Sequence, residues 1–89
     1  MVIVPTATIT MLAAMVQGMS LPNGPEHALL ATLSTAQNSL SAGHTSAACS
    51  QLGAFQNQVR AFRGRSLSVE NASRLTAFAQ RVQAGLGCA

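Results

Sequence analysis

The 89-residue chain contains no tryptophan, tyrosine, lysine or aspartate. Each absence removes a class of chemistry. Trp and Tyr normally supply the platforms on which sugars stack, and the whole aromatic complement here is Phe55, Phe62 and Phe78. Without Asp, no Ser-His-Asp relay can be assembled, and none of the many serines lies in a nucleophile elbow. Carboxylates are limited to Glu26 and Glu70 and imidazoles to His27 and His44, at scattered positions that pair no acid with a base. Glycine-rich phosphate loops and cofactor motifs are missing. The reading is a non-catalytic chain with no cofactor and no small-molecule substrate.

Metal ligation has little to draw on either. Cys49 and Cys88 stand far apart, without a CxxC motif and without histidines at ligand spacing, which does not describe a zinc site. Glu26 and Glu70 each fall in the expected first turn of a helix, where a carboxylate favours the positive end of the dipole. His27 and His44 sit at or beside helix starts, in surface or capping roles.

What the chain does have is apolar content: hydrophobic residues make up 48% of it, which is incompatible with a disordered segment. At this length a single domain buries only roughly 60–65% of the surface that its unfolded form exposes, so the core is thin. The net charge of +3 comes from five arginines against two glutamates. Three of them, Arg60, Arg63 and Arg65, cluster where a helix is expected to end. Complementing the C-terminal dipole is their simplest role, and anion contact is the other.

The stretch from Val2 to Met19 is apolar, but no Lys or Arg precedes it, and Pro5, Thr6, Thr8 and Thr10 interrupt it. It reads as a folded helix and not as a signal peptide or a membrane span. If the domain is exported, its leader is expected upstream in a longer chain that Met1 merely truncates.

Punctuation divides the sequence into helical stretches near 6–19, 25–42, 45–63 and 68–86, with no alternating run long enough for a strand. The first is expected to start near Thr6, as a cap after Pro5, with Ile9, Leu12, Val16 and Met19 on one face. In the connector Leu21-Pro22-Asn23-Gly24-Pro25-Glu26, Asn23 and Glu26 have capping-box spacing. Leu29, Leu30, Leu33, Ala36 and Leu40 form the second face, and Gly43 is a left-handed terminator. The third helix is the most regular, with Ala48, Leu52, Phe55, Val59 and Phe62 at alternating spacings of four and three. Gly64 closes it, Leu67 precedes a Ser68 cap as in a hydrophobic staple, and the fourth helix carries Ala72, Leu75, Ala79, Val82 and Leu86. Gly85 and Gly87 are expected to fray its end. Such short connections predict an all-α fold: an antiparallel up-down bundle of three longer helices with a shorter N-terminal helix across it.

That topology brings the start of the third helix beside the end of the fourth, and with them Cys49 beside Cys88. A disulfide is geometrically natural there, and closing a loop of roughly 40 residues stabilises a fold by about 4 kcal/mol on the chain-entropy model. In the alternative, Cys49 is a small buried apolar residue and Cys88 a free thiol, as in a cytosolic protein.

From Leu12 to Cys88 the order of segments resembles the FIMAH domain, a small helical module near the C-terminal ends of large secreted bacterial proteins. The segments that carry the resemblance are Leu21-Pro22-Asn23-Gly24 followed by Ala28 to Leu33, then Ala47 to Phe55, Val59 to Arg65, and Ala72 to Ala79. Pro25 and His27 depart from the pattern, where a small apolar or amide residue is expected. So does Gln56-Asn57-Gln58, in place of an Ile-Asn pair on the outer surface. The resemblance implies an accessory module, secreted or at the cell surface, and transfers no catalytic residues. Its implied partners are neighbouring domains of the parent chain or a cell-surface protein. The competing expectation is a stand-alone cytoplasmic regulator that binds nucleic acid or a partner protein through its Arg surface. Phe78, off the main stripe of its helix, is a further candidate contact.

Overall fold

A computed structural model describes residues 8–88. They form α1 (Ile9–Gly18), α2 (Asn23–Ser41), α3 (Thr45–Phe62) and α4 (Val69–Leu86), and there is no strand among the described residues. The fold is all-α, with three longer helices and a short first one, as the sequence predicts.

The expected Thr6 start lies outside the described residues. The cap of α1 is Thr8, whose Oγ1 accepts the Met11 N–H at 3.2 Å. The capping box expected at α2 does not form, because Asn23 is itself the first helical residue and the N-cap position belongs to Pro22, which makes no side-chain cap bond. Pro25 is tolerated in this first turn, where backbone N–H groups have no helical partner to lose. At α3, His44 occupies the N-cap position without a side-chain bond, and only its carbonyl serves the helix, accepting Ala48 N–H at 3.1 Å. Ser68 caps α4 as expected, accepting Asn71 N–H at 3.1 Å. Leu67 and Ala72, the two staple positions, are both buried.

The helix ends are equally specific. Gly43, at φ 84°, donates to Leu40 O at 3.0 Å while His44 N–H reaches Ser39 O at 2.8 Å, which is a Schellman motif. The end of α4 repeats it: Gly87, at φ 79°, donates to Ala84 O and Cys88 N–H to Gln83 O at 2.9 Å. The C-terminal glycine therefore stops the helix in an ordered cap and does not fray it. Gly64 closes α3 differently, in a type II turn: Arg63 is extended, Gly64 has φ 79°, and Phe62 O accepts Arg65 N–H at 3.0 Å.

Each predicted stripe faces inward. Ile9, Leu12 and Val16 of α1 meet Leu29, Leu33 and Ala36 of α2, Leu52, Phe55 and Val59 of α3, and Ala72, Leu75, Ala79 and Val82 of α4 in one core. No polar or charged residue is buried among the described residues. Met19, Leu30, Leu40, Phe62 and Leu86 pack at its margin. Consecutive helices are neighbours and α1 also packs on α4, so the four helices close a ring whose diagonal pairs make no close backbone approach.

Polar side chains fix the direction of packing. Thr32 Oγ1 donates to Gln58 Oε1 at 2.7 Å and Ser39 Oγ to Gln51 Oε1 at 3.0 Å, so α3 ascends as α2 descends. Gln56 Nε2 donates to Gln83 Oε1 at 2.9 Å across the α3/α4 seam. Gln56 and Gln58 thus lie half-buried between helices and not on the outer surface, in contrast to the expectation from the sequence. A long amide side chain at the edge of an apolar stripe can cover apolar surface with its stem while its tip finds a partner on the next helix.

Candidate functional site

Two places concentrate chemistry, at opposite ends of the α3/α4 pair. At one end the antiparallel packing brings Cys49, in the first turns of α3, to disulfide distance from Cys88, just beyond α4, with Cα atoms 5.9 Å apart. Both cysteines are half-buried. Gln83 reinforces the junction by donating from Nε2 to Cys49 O at 3.2 Å while its own backbone carbonyl holds Cys88 N–H. Around it, Thr45, Ser46, Ser50 and Gly87 line a shallow depression with the two cysteines.

At the other end, the close of α3 and the stretch of α4 from Ala72 to Gln80 flank a groove of about 290 Å³. Val59 and Ala72 form its floor, and Arg60 and Arg63 stand on one side of it. From α4 come Ser73, Thr76 and Gln80, at helical spacings of three and four that place them on a single face. Small side chains at Ala72, Ser73 and Ala77 leave the groove open. Arg65, the third member of the predicted cluster, sits on the turn after Gly64 and does not line it. The sequence therefore marked two of the groove's residues and missed the α4 wall, because Ser73, Thr76 and Gln80 are unremarkable until the rotation of α4 is known.

The charge around this groove is one-sided. Glu70 forms an ion pair with Arg74 at 2.9 Å, the one ion pair among the described residues. Its side chains are 65% and 74% exposed, so it contributes at most about 1 kcal/mol, but it does neutralise Arg74 locally. Arg60, Arg63, Arg65 and Arg81 have no carboxylate of the described residues within ion-pair distance. Arg60, in the last turn of α3, is placed to complement the helix dipole. Glu26 stands in the first turn of α2, and His27 beside it is exposed.

Phe78 is half-buried and borders a second shallow depression with Met15, Arg74, Ala77 and Arg81. Among the described residues, no three His, Cys, Asp or Glu side chains gather closely enough to hold a metal ion. No described helix is long and apolar enough to cross a membrane. Comparisons with protein-family models, curated proteins and solved structures find no match for this chain. What it does has to be argued from these two sites.

Proposed function

We propose that the chain is a non-catalytic structural and interaction module of an exported bacterial multidomain protein, secreted or held at the cell surface. The observation that carries this reading is the placement of Cys49 and Cys88 at disulfide distance across 39 positions of sequence. Bridges of this kind persist in oxidising compartments and are rare in the cytosol. They matter most to small domains whose core alone gives little stability. The ordered resemblance to the FIMAH module supports the same context, with neighbouring domains of the parent chain or a cell-surface protein as partners.

The test is redox state. Protein made in an oxidising compartment is alkylated without prior reduction and weighed. The expected mass shows no free thiol, and reductant lowers the melting temperature. Two alkylated cysteines with an unchanged melting temperature would overturn the reading. A second reading, a cytoplasmic regulator that binds nucleic acid through its arginines, draws on the guanidinium groups near the end of α3 that make no ion pair among the described residues. Steeply salt-dependent binding to DNA or RNA is the behaviour it requires.

A further inference from the structure

We infer that the groove between the end of α3 and the Ala72 to Gln80 stretch of α4 is a binding site for the phosphate or sulfate groups of a base-free polyanion. Arg60 and Arg63 supply the charge, and Ser73, Thr76 and Gln80 supply neutral hydrogen-bond donors from the facing helix. Guanidinium forks match tetrahedral oxyanions in shape and charge, and unlike ammonium groups they can offer two parallel donors.

Four observations converge on this assignment. First, all five polar side chains of the groove lack a hydrogen-bond partner elsewhere in the protein among the described residues, so none must break an internal contact to engage a ligand. Second, no carboxylate of the described residues borders the groove, and Glu70, the glutamate on α4, is occupied by Arg74 on the exposed face. Third, the carbonyl end of α3, which would repel an anion, is partly satisfied: Phe62 O accepts both Arg65 N–H at 3.0 Å and Leu67 N–H at 3.1 Å. Fourth, no aromatic ring lines the groove. The unstacked bases of a single strand need such rings to rest on, and a chain of charged groups without bases does not; a duplex, held by its phosphates alone, is told apart by titration.

The volume of about 290 Å³ admits one oxyanion together with part of the unit that carries it. Polyphosphate and sulfated or phosphorylated glycans share this chemistry, the glycans being held by their oxyanions and not by stacking of sugar rings, for which the groove has no platform. The inference stands on the charge and shape of the groove and holds whether or not the chain is exported.

The experiment titrates the full chain with a fluorescently labelled sulfated oligosaccharide and with polyphosphate, and separately with single-stranded and duplex DNA of equal charge, at low salt. Amide shifts in a ¹⁵N spectrum locate the contact. The sulfated oligosaccharide and polyphosphate arms distinguish the two sources of the oxyanion. Binding by either is expected, with shifts centred on Arg60, Arg63, Ser73, Thr76 and Gln80. Losing one charged hydrogen bond weakens binding about tenfold, so R60Q and R63Q should each do so, and R81Q, which removes the same charge away from the groove, should change it less than about twofold. T76V, which leaves the net charge untouched, should weaken binding about threefold or more by removing a neutral donor. All these positions are exposed or half-buried, and an unchanged amide spectrum elsewhere verifies the fold. Equal losses for R81Q and R60Q, no binding at low salt, or tighter binding to either DNA than to the base-free polymers would each overturn the assignment.

Discussion

Gln83 reaches from α4 to the backbone carbonyl of Cys49 on α3, donating at 3.2 Å, and its own carbonyl accepts the Cys88 N–H at 2.9 Å. One residue therefore holds both cysteines in place, and its Oε1 also accepts from Gln56. Truncating it to alanine strands Gln56 in a half-buried seam and removes two interhelical bonds. Q83A should cost about 1–2 kcal/mol in urea denaturation, on the usual net value of such bonds. Because the side chain acts on the junction of the cysteines, the cost should be smaller in a background lacking the bridge. Full additivity of the two changes would show that Gln83 acts independently of it.

Replacing both cysteines by serine leaves every helix cap in place and removes only the covalent link. The unfolded chain then regains the freedom of a loop of roughly 40 residues, which corresponds to about 4 kcal/mol on the entropy model and typically 2–4 kcal/mol in practice. For a domain of this size each kcal/mol shifts the melting temperature by roughly 4–8 °C, so a fall of roughly 8–32 °C is expected. Calorimetry of the C49S/C88S pair checks it. The same fall should appear on adding reductant to the native chain, since both treatments release the same loop.

The apolar stripes made most of this architecture legible. Positions such as Leu52, Phe55 and Val59 repeat at helical spacing, only one rotation of the helix buries them all, and short glycine-punctuated connectors then dictate antiparallel neighbours. From that register the meeting of Cys49 and Cys88 follows, since each lies at an end of its helix. What escaped were features decided by a rotation or by a single backbone angle. Asn23 looked like a cap but had already entered α2, since Pro22 could take the N-cap position without a side-chain bond. Gln56 and Gln58 read as surface residues because a polar side chain carries no periodic signature of the seam it bridges. The groove was half visible: Arg60 and Arg63 lie three residues apart at the end of one helix, whereas Ser73, Thr76 and Gln80 join them only when α4 docks.

Ser20 follows α1 in the left-handed region, at φ 53°, the sole non-glycine with positive φ among the described residues. A side chain there carries a penalty of roughly 1–2 kcal/mol that glycine avoids, partly offset by the greater freedom of glycine in the unfolded chain. S20G should therefore stabilise the fold by about 0.5–1 kcal/mol. The mirror experiment is G43A. Gly43 has φ 84° and open space where a Cβ would stand, so the loss of about 1 kcal/mol or more expected there is backbone strain alone. Paired urea titrations should show opposite signs, and a destabilised S20G would mean that the hydroxyl makes a contact worth more than the strain.

Phe55 is fully buried at the middle of α3, facing a core shared by all four helices. No polar residue is buried among the described residues to admit water, and closely packed helices collapse only partly into a hole of this size. F55A should cost about 3–5 kcal/mol from lost transfer energy and the residual cavity. Total stability for a chain of this length is only on the order of 4–13 kcal/mol, so this one change approaches the lower limit. Two outcomes follow from the bridge. With Cys49 and Cys88 joined, F55A should remain helical at room temperature with a much lower melting point, whereas with reductant it should lose most of its helix. Far-UV circular dichroism is the suitable measurement, because a chain without Trp or Tyr gives no useful intrinsic fluorescence. F55L, which keeps most of the volume, should cost under about 1.5 kcal/mol and stay folded in both conditions. If F55A resists reductant as well as the native chain does, the core has reserves that do not depend on the bridge, and the cysteines are not what keeps this thin domain folded.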